Sequence, residues 1–171
     1  MIVTPAYAAL MARYNSWQNH NLLLAAETLD APARAADRGA FFGSIQGTLS
    51  HLLWADLLWL SRFDGGVPPE GGIAGSAQLF PDWAPYLSKR AMTDKRIMGW
   101  ADRLTPEELG GEMCWVSGAL GREISKPRSL CVVHFFNHQT HHRGQLHALL
   151  TGAGTRPGDT DLFVMPEEIG L

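Results

Sequence analysis

The sequence predicts an all-α protein, a four-helix bundle with a long loop between the second and third helices and a small hairpin before the fourth helix. Two observations predict this fold. Four long stretches carry apolar residues at three- and four-residue steps, and polar or glycine-rich segments separate them, with no internal repeat. Because 171 residues is an ordinary length for one domain, we expect residues 1–171 to form a single four-helix-bundle domain.

The first helix begins at a clear start signal. Thr4 is a good capping residue, and Pro5 occupies the first helical position, where its missing N–H costs nothing. Apolar residues then recur at helical spacing as far as Leu24, which predicts a helix over about residues 5–29. The proline and charged residues of 30–39 predict a loop.

The second helix carries an apolar stripe that begins at Phe41 and stops before Asp64-Gly65-Gly66. The segment from Gly65 to Pro85 is rich in glycine and proline, and so predicts a long loop. A loop of this length is unusual in a compact domain, which favours a role as an active-site cover or as an oligomer contact.

The third helix is predicted over about Trp83 to Leu104, and Thr105-Pro106-Glu107-Glu108 has the pattern that caps a short helical turn. Two short extended runs flank SGALG between Glu112 and Ser125, which predicts a small hairpin. The fourth helix is predicted from about Pro127 to Thr151, and it ends at Gly152.

Composition excludes several function classes. Fourteen Lys and Arg against 17 Asp and Glu give a net charge of -3, so we expect neither a nucleic-acid nor a membrane partner. The apolar run LLWADLLWL is far too short to span a bilayer, and the N-terminus lacks the pattern of a signal peptide. With only Cys114 and Cys131, both interpreted as packing residues, we expect a cytoplasmic protein.

The histidines are concentrated in the fourth predicted helix. Of seven in the chain, five lie between residues 134 and 147: His134, His138, His141, His142 and His147. Residues four apart share one side of a helix, and an i, i+4 pair is the spacing that lets two imidazoles meet one metal. Gln139 stands where an HExxH peptidase has its glutamate, so we do not expect that activity.

A metal centre would need a third ligand from another helix. His51 is the best candidate because it lies mid-helix in an apolar run, with the small residues Gly47 and Thr48 before it. His20 is the alternative donor. The spacing leaves open whether His134 competes as a ligand, and whether the cluster is structural rather than metal-binding.

Four segments together resemble one known family. HFFNHQTHHRGQLHALLTGAG at 134–154, YNSWQN at 14–19, TLSHLLWAD at 48–56 and PGDTDLF at 157–163 are similar to motifs of the DinB/YfiT-like family of small four-helix-bundle metalloproteins. The resemblance covers essentially the whole chain, and its NHxxxHRGQ element is specific.

The resemblance implies a divalent metal, usually nickel or zinc, held by His51, His138 and His142. It also implies a homodimer. Some relatives are thiol-dependent enzymes, either transferases that join low-molecular-weight thiols to electrophiles or a mycothiol-dependent isomerase. A low-molecular-weight thiol and an electrophile are therefore the small-molecule partners that the resemblance suggests.

The leading hypothesis is a metal-dependent enzyme with thiol transferase-like or hydrolase-like chemistry, and the alternative is a non-catalytic metal-binding stress or sequestration protein. No residue is assigned a catalytic role.

Several polar residues have secondary interpretations. We interpret Arg143 as an interhelical ion-pair partner of a carboxylate, with an anionic substrate group as the alternative, and Gln145 as a residue that orients a ligand or caps a polar interior. Asn15 and Asn19 could reach the site indirectly. Asp56, about 140° around its helix from His51, is expected to face water or a partner subunit.

Overall fold

The computed structural model describes residues 2–118 and 120–170 and confirms the all-α prediction. In chain order its helices are α1 (Pro5–Glu27), α2 (Ala31–Ala35), α3 (Ile45–Asp64), α4 (Trp83–Arg103), α5 (Pro106–Leu109), α6 (Arg128–Gly152) and α7 (Glu167–Gly170). The four long helices form the bundle, in which α1 packs against α4 and α6 while α3 packs against the same two helices.

Local capping explains where the helices begin and end. The Thr4 hydroxyl accepts a hydrogen bond from the Tyr7 N–H, as the start signal predicts. The α3 helix begins at Ile45 rather than at Phe41, because the Ser44 hydroxyl caps it by accepting from the Gly47 N–H. It ends at Gly65, whose φ of 73° is the left-handed conformation typical of a glycine helix stop.

The segment predicted as a loop over 30–39 contains the short helix α2, so that prediction is partly wrong. The Asp30 carboxylate accepts from the Ala33 N–H, and Pro32 lies in the first turn, where proline is compatible with a helix. The capping residue and the proline therefore start a helix here, although the composition of the segment is typical of a loop.

A two-stranded antiparallel hairpin precedes α6. Its strands are β1 (Glu112–Ser117) and β2 (Arg122–Pro127), with Cys114 opposite Ser125. Successive side chains of β1 point to opposite faces, so Met113 is buried and Cys114 is exposed. The interpretation of Cys114 as a packing residue is therefore wrong, whereas Cys131 is buried in the apolar core.

The long loop after α3 contains a 3-10 helix, Ile73–Gln78, and lies along α3. The Ser50 hydroxyl donates to the Ser76 carbonyl at 2.6 Å and accepts from the Phe80 N–H at 3.1 Å. The Trp54 indole N–H donates to the Glu70 carbonyl at 3.1 Å. These bonds attach the loop to the middle of α3.

Two apolar clusters fill the bundle at different heights. One cluster includes Phe63, Trp100 and Phe135, and the other includes Leu53 and Leu146. A layer of buried polar residues lies between the two clusters on every long helix. We call this set the polar layer; it comprises Asn15, Asn19, Asp56, Arg90, Asp94, Gln139 and Arg143.

Arg90 is the centre of the polar layer. Its guanidinium donates to Asp56 and to Asp94, both at 2.7 Å. The other oxygen of Asp56 accepts from the Gln139 amide at 2.8 Å. Asp56 is only 1% exposed, so the expectation that it faces water or a partner is wrong, because its side of α3 is covered by Arg90 from α4.

No helix within the described residues combines the length and the apolar character that a bilayer crossing requires.

Gly47 gives a test of how the chain enters α3. A Cβ added there would overlap the backbone carbonyl oxygen of Phe42, which belongs to the turn before the helix. We expect Gly47→Ala to lower the free energy of unfolding by about 1–3 kcal/mol, because backbone must move to relieve the overlap. Urea denaturation measures this change.

Gly99→Ala is the matched control on α4. Its added Cβ would meet only the flexible end of Arg103, at 3.4 Å. Alanine has the higher helix propensity, so this control should gain up to about 1 kcal/mol. Equal stabilisation by both substitutions would contradict the close approach at Gly47.

Candidate metal centre

Three histidines from two helices converge in the bundle. His51 comes from α3, and His138 and His142 come from α6; a potential ligand atom from each lies within 4.8 Å of the others. The Nε2 atoms of His51 and His138 are 3.4 Å apart. His51 is only 3% exposed and His142 is also buried, whereas His138 is half-buried.

The helices place these rings by simple geometry. His138 and His142 are four residues apart on α6, so they project to the same side, and their ring centroids are 4.4 Å apart. That side faces α3, where the His51 ring lies 5.3 Å from His138 and 4.7 Å from His142. The structure thus brings together the three residues that the sequence analysis singled out.

A hydrogen bond from the long loop fixes the orientation of His51. Its Nδ1 atom is 2.8 Å from the Ser76 hydroxyl oxygen, and that hydroxyl donates its own proton to the Ile73 carbonyl at 2.7 Å. Ser76 must therefore accept from an Nδ1–H of His51. The Nε2 atom is left with its lone pair, directed toward His138.

His142 is held in the same way by its own helix. Its Nδ1 atom is 2.8 Å from Oε1 of Gln145, and Nε2 of Gln145 is 3.2 Å from Nε2 of His141. Because the Gln145 oxygen can only accept, His142 carries its proton on Nδ1 and keeps a lone pair on Nε2. Gln145 therefore orients a histidine of the cluster, a role that neither of its two sequence-based interpretations named.

The cluster is electrically neutral near pH 7. Burial lowers the pKa of His51 to about 4 and that of His138 to about 3, and repulsion from His142 acts in the same direction. Burial also lowers the pKa of His142, although its hydrogen bond to Gln145 opposes the shift. Neutral imidazole is the form that binds a metal, so protons do not compete for these nitrogens.

An aromatic wall closes one side of the cluster. The Phe42 ring stacks on His51 with centroids 3.8 Å apart and planes 18° apart. The same ring lies edge-on to His142 at 5.4 Å. Phe42 belongs to the turn before α3. The conformation of that turn therefore determines where the Phe42 ring lies against the histidine cluster.

One pair of the donor nitrogens already has the spacing of a tetrahedral metal site. Zn–N bonds of about 2.0–2.1 Å in a tetrahedron require nitrogens about 3.4 Å apart, which is the separation already present between His51 and His138. In the described part of the chain, no cysteine, carboxylate or fourth histidine joins the group. Three protein ligands with one position open is the arrangement typical of catalytic zinc sites.

The other histidines lie outside the cluster. The exposed His134 packs 4.8 Å from the Trp59 ring, and its ring is 5.8 Å from His138. His141 contacts Gln145, and His147 lines a cavity between α1 and α6. His20 is exposed on α1. In the described part of the chain, the close group contains His51, His138 and His142, and these four other histidines lie outside it.

Arg143 does not form the expected ion pair with any carboxylate that the structure describes. Its guanidinium donates to the Asn15 side-chain oxygen and, at 3.4 Å, to the Thr140 hydroxyl. The two carboxylates nearest in the polar layer, Asp56 and Asp94, are already paired with Arg90. The ion-pair interpretation is therefore wrong.

The two asparagines of α1 belong to the polar layer. Asn19 donates to Asp94 at 2.9 Å, and Asn15 donates to the same carboxylate at 3.5 Å. Their hydrogen bonds go to Asp94 and Arg143 rather than to the histidine cluster.

Ser76 and Phe42 contact His51, and neither residue is marked by a sequence pattern. Both lie in irregular segments outside the long helices, so helical periodicity gave no signal for either. The sequence signal for Ser76 is its place in the long loop, for which an active-site cover and an oligomer contact are the two expected roles.

Comparison with protein families identifies the family of this chain. The chain matches the family model described as the DinB family over residues 1–169. The chain belongs to the DinB family. No curated protein and no solved structure matches it. The DinB assignment covers nearly the entire chain, including all three histidines of the cluster.

Gln145 supplies a test of the orienting hydrogen bond. We expect Gln145→Met, which keeps the side-chain size but removes the acceptor, to raise the Kd for zinc by about 10–100-fold. Competition against a chromophoric chelator measures this Kd. His134→Gln is the control and should leave the Kd within about threefold. Comparable losses in both variants would argue against the assigned set.

Proposed function

We propose that this protein is a metal-dependent enzyme of the DinB family, with one divalent ion, nickel or zinc, bound by His51, His138 and His142. One observation carries the proposal. Three neutral imidazoles converge, two of them with Nδ1 protons held by Ser76 and Gln145, and no fourth protein ligand joins them among the described residues. This arrangement leaves a coordination position for a substrate.

We propose thiol transfer as the reaction class, with hydrolysis as the variant in which water replaces the thiol. A divalent ion held by His51, His138 and His142 would supply Lewis acidity, which would lower the pKa of a thiol or water bound to it. In thiol transfer, the thiol gives its proton to solvent water and its sulfur forms a bond to an electrophilic carbon. The bond from that carbon to the leaving group breaks, and the leaving group departs with the bonding electron pair.

The protein's own thiols are poorly suited to be that nucleophile. Cys131 is buried in the core, and burial raises the pKa of its thiol. Cys114 is exposed on the hairpin, and neither cysteine belongs to the histidine cluster. The proposal therefore takes a low-molecular-weight thiol from solution as the second substrate.

The residues of this chain prepare the site in three ways. Ser76 and Gln145 hold the Nδ1 protons of His51 and His142, so that lone pairs face the metal position. Phe42 covers His51 and keeps water from that side. His138 is half-buried, which favours entry of substrate on its side of the cluster.

Metal content is the first test, on protein purified without a metal-affinity column. We expect about one equivalent of a divalent metal per chain, and loss of that metal in His51→Ala and in His142→Ala. His134→Ala is the control and should keep its metal. A metal-free chain that also rejects added zinc and nickel would show that the cluster is structural.

Turnover is measured on the same samples, with cysteine or glutathione and a chromogenic electrophile, and with nitrophenyl esters for hydrolysis. We expect activity in the metal-loaded protein, and at least a ~100-fold loss in the variants that lose their metal, because the Lewis acid is then absent. Full metal occupancy with no turnover across this panel would instead support the non-catalytic sequestration function.

We also propose that the protein is a homodimer. Large apolar side chains remain exposed, among them Phe41 at 81%, Val67 at 87% and Phe163 at 87%. Sedimentation equilibrium should give a mass near twice the 18.8 kDa of the chain. A single-chain mass across the micromolar range would contradict the dimer.

A further inference from the structure

A cavity of about 350 Å³ lies between α1 and α6, away from the histidine cluster. From α6 it is lined by Thr140, Arg143, Gly144 and His147. These four residues lie on the side of α6 opposite His138 and His142, because each successive residue of a helix is rotated by about 100° about the helix axis. The cavity is therefore distinct from the candidate metal centre.

Arg143 is a buried cation beside this cavity, and no carboxylate of residues 2–118 and 120–170 forms a salt bridge with it. The residue is only 5% exposed, and its terminal nitrogens donate to Asn15 and Thr140, which are both uncharged. Among the described residues no carboxylate forms a salt bridge with it, whereas Arg90 has two. Burying a guanidinium without an opposite charge is costly, so the site attracts an anion.

The guanidinium remains charged at neutral pH. An arginine side chain is not deprotonated in proteins, and Asp56 and Asp94 are already paired with Arg90. The two carboxylates of the polar layer thus leave its charge under-compensated.

The remaining walls indicate what kind of anion fits. Leu22 and the ring of Tyr14 form apolar surface, and the Tyr14 ring lies 5.5 Å from the Arg143 guanidinium. The C-terminal segment covers one side, since the Tyr14 hydroxyl donates to the Thr160 carbonyl at 2.6 Å. A volume of 350 Å³ is at the small end of the ligand pockets found in proteins, which run from about 300 to 1,000 Å³.

From this combination we propose a second ligand site, which binds a small organic carboxylate. Its carboxylate lies at Arg143 and within reach of His147, and its carbon skeleton packs against Leu22 and Tyr14. The proposal does not depend on the metal-dependent activity, because the cavity shares none of its lining residues with the histidine cluster.

The test compares benzoate with benzamide, which has nearly the same shape and no charge. Each is titrated into the zinc-loaded full chain, and binding is followed by amide chemical shifts. We expect saturable shifts in α1 and α6 around the cavity, with a Kd for benzoate at least about tenfold below that for benzamide, since the buried cation favours the anion.

Gly144→Leu tests the location without touching the charge. A Cβ added at Gly144 meets nothing within 4 Å, and leucine has a higher helix propensity than glycine, so this variant is expected to fold. Its side chain would occupy the cavity and weaken benzoate binding by at least about tenfold. Ala148→Leu, on the exposed side of α6, is the control and should bind benzoate normally.

Four results would overturn the proposal: equal affinity for benzoate and benzamide, benzoate binding that survives Gly144→Leu, shifts centred on His51 and His138 instead of the cavity, or no saturable binding up to about 20 mM.

Discussion

Arg90 is a cation buried between two carboxylates, and the arrangement of the bundle depends on this interaction. Its partners, Asp56 on α3 and Asp94 on its own helix, are bound in turn by amide side chains from α6 and α1. Shifting α3 or α4 along its axis would separate Asp56 from Arg90 and leave buried charges unpaired, which costs several kcal/mol. Shifting α1 or α6 would remove an amide hydrogen bond from a buried carboxylate. The apolar clusters on either side constrain the helix alignment less, because a core tolerates the exchange of one hydrophobic residue for another when the total volume is kept. We infer that the polar layer selects one alignment of the four long helices.

The candidate metal centre depends on that alignment because its nitrogens come from two different helices. The hydrogen bond from Gln139 to Asp56 joins α6 to α3. Gln139 is the neighbour of His138 in the chain, and Asp56 lies five residues after His51. This hydrogen bond lies little more than one helical turn from the histidine cluster. It therefore fixes the separation between the His51 imidazole on α3 and the imidazoles on α6. The loop hydrogen bond to His51 then sets the ring orientation, which helix alignment alone does not determine.

Much of this structure could be predicted from local sequence signals, and the failures have a common cause. Thr4, Pro5 and the glycine after Asp64 act on the adjoining backbone, so they place helix ends without knowledge of the rest of the fold. The histidine pair on α6 and the isolated histidine in an apolar helix likewise follow from spacing and burial.

Whether Asp56 meets water or an arginine depends instead on which helix covers it, and the sequence of α3 does not contain that information. Arg143 was misassigned for the same reason, since Arg90 occupies both carboxylates. Ser76 in the glycine-rich loop contacts His51 on α3. The loop has no periodic pattern, and the periodic pattern of α3 does not show which loop residue lies against it.

The attachment of the C-terminal segment has a consequence for how the sequence can change over evolutionary time. Tyr14 and Gln18 reach the backbone carbonyls of Thr160 and Asp159, not their side chains. Any amino acid supplies such a carbonyl, so positions 159 and 160 are free to drift while the anchor persists. Gly158 is more constrained, because a Cβ there would lie 2.9 Å from the side-chain nitrogen of Asn21, and that side chain would have to move. Selection that preserves the fold of the tail therefore acts mainly on residues of α1, more than 130 positions earlier in the chain.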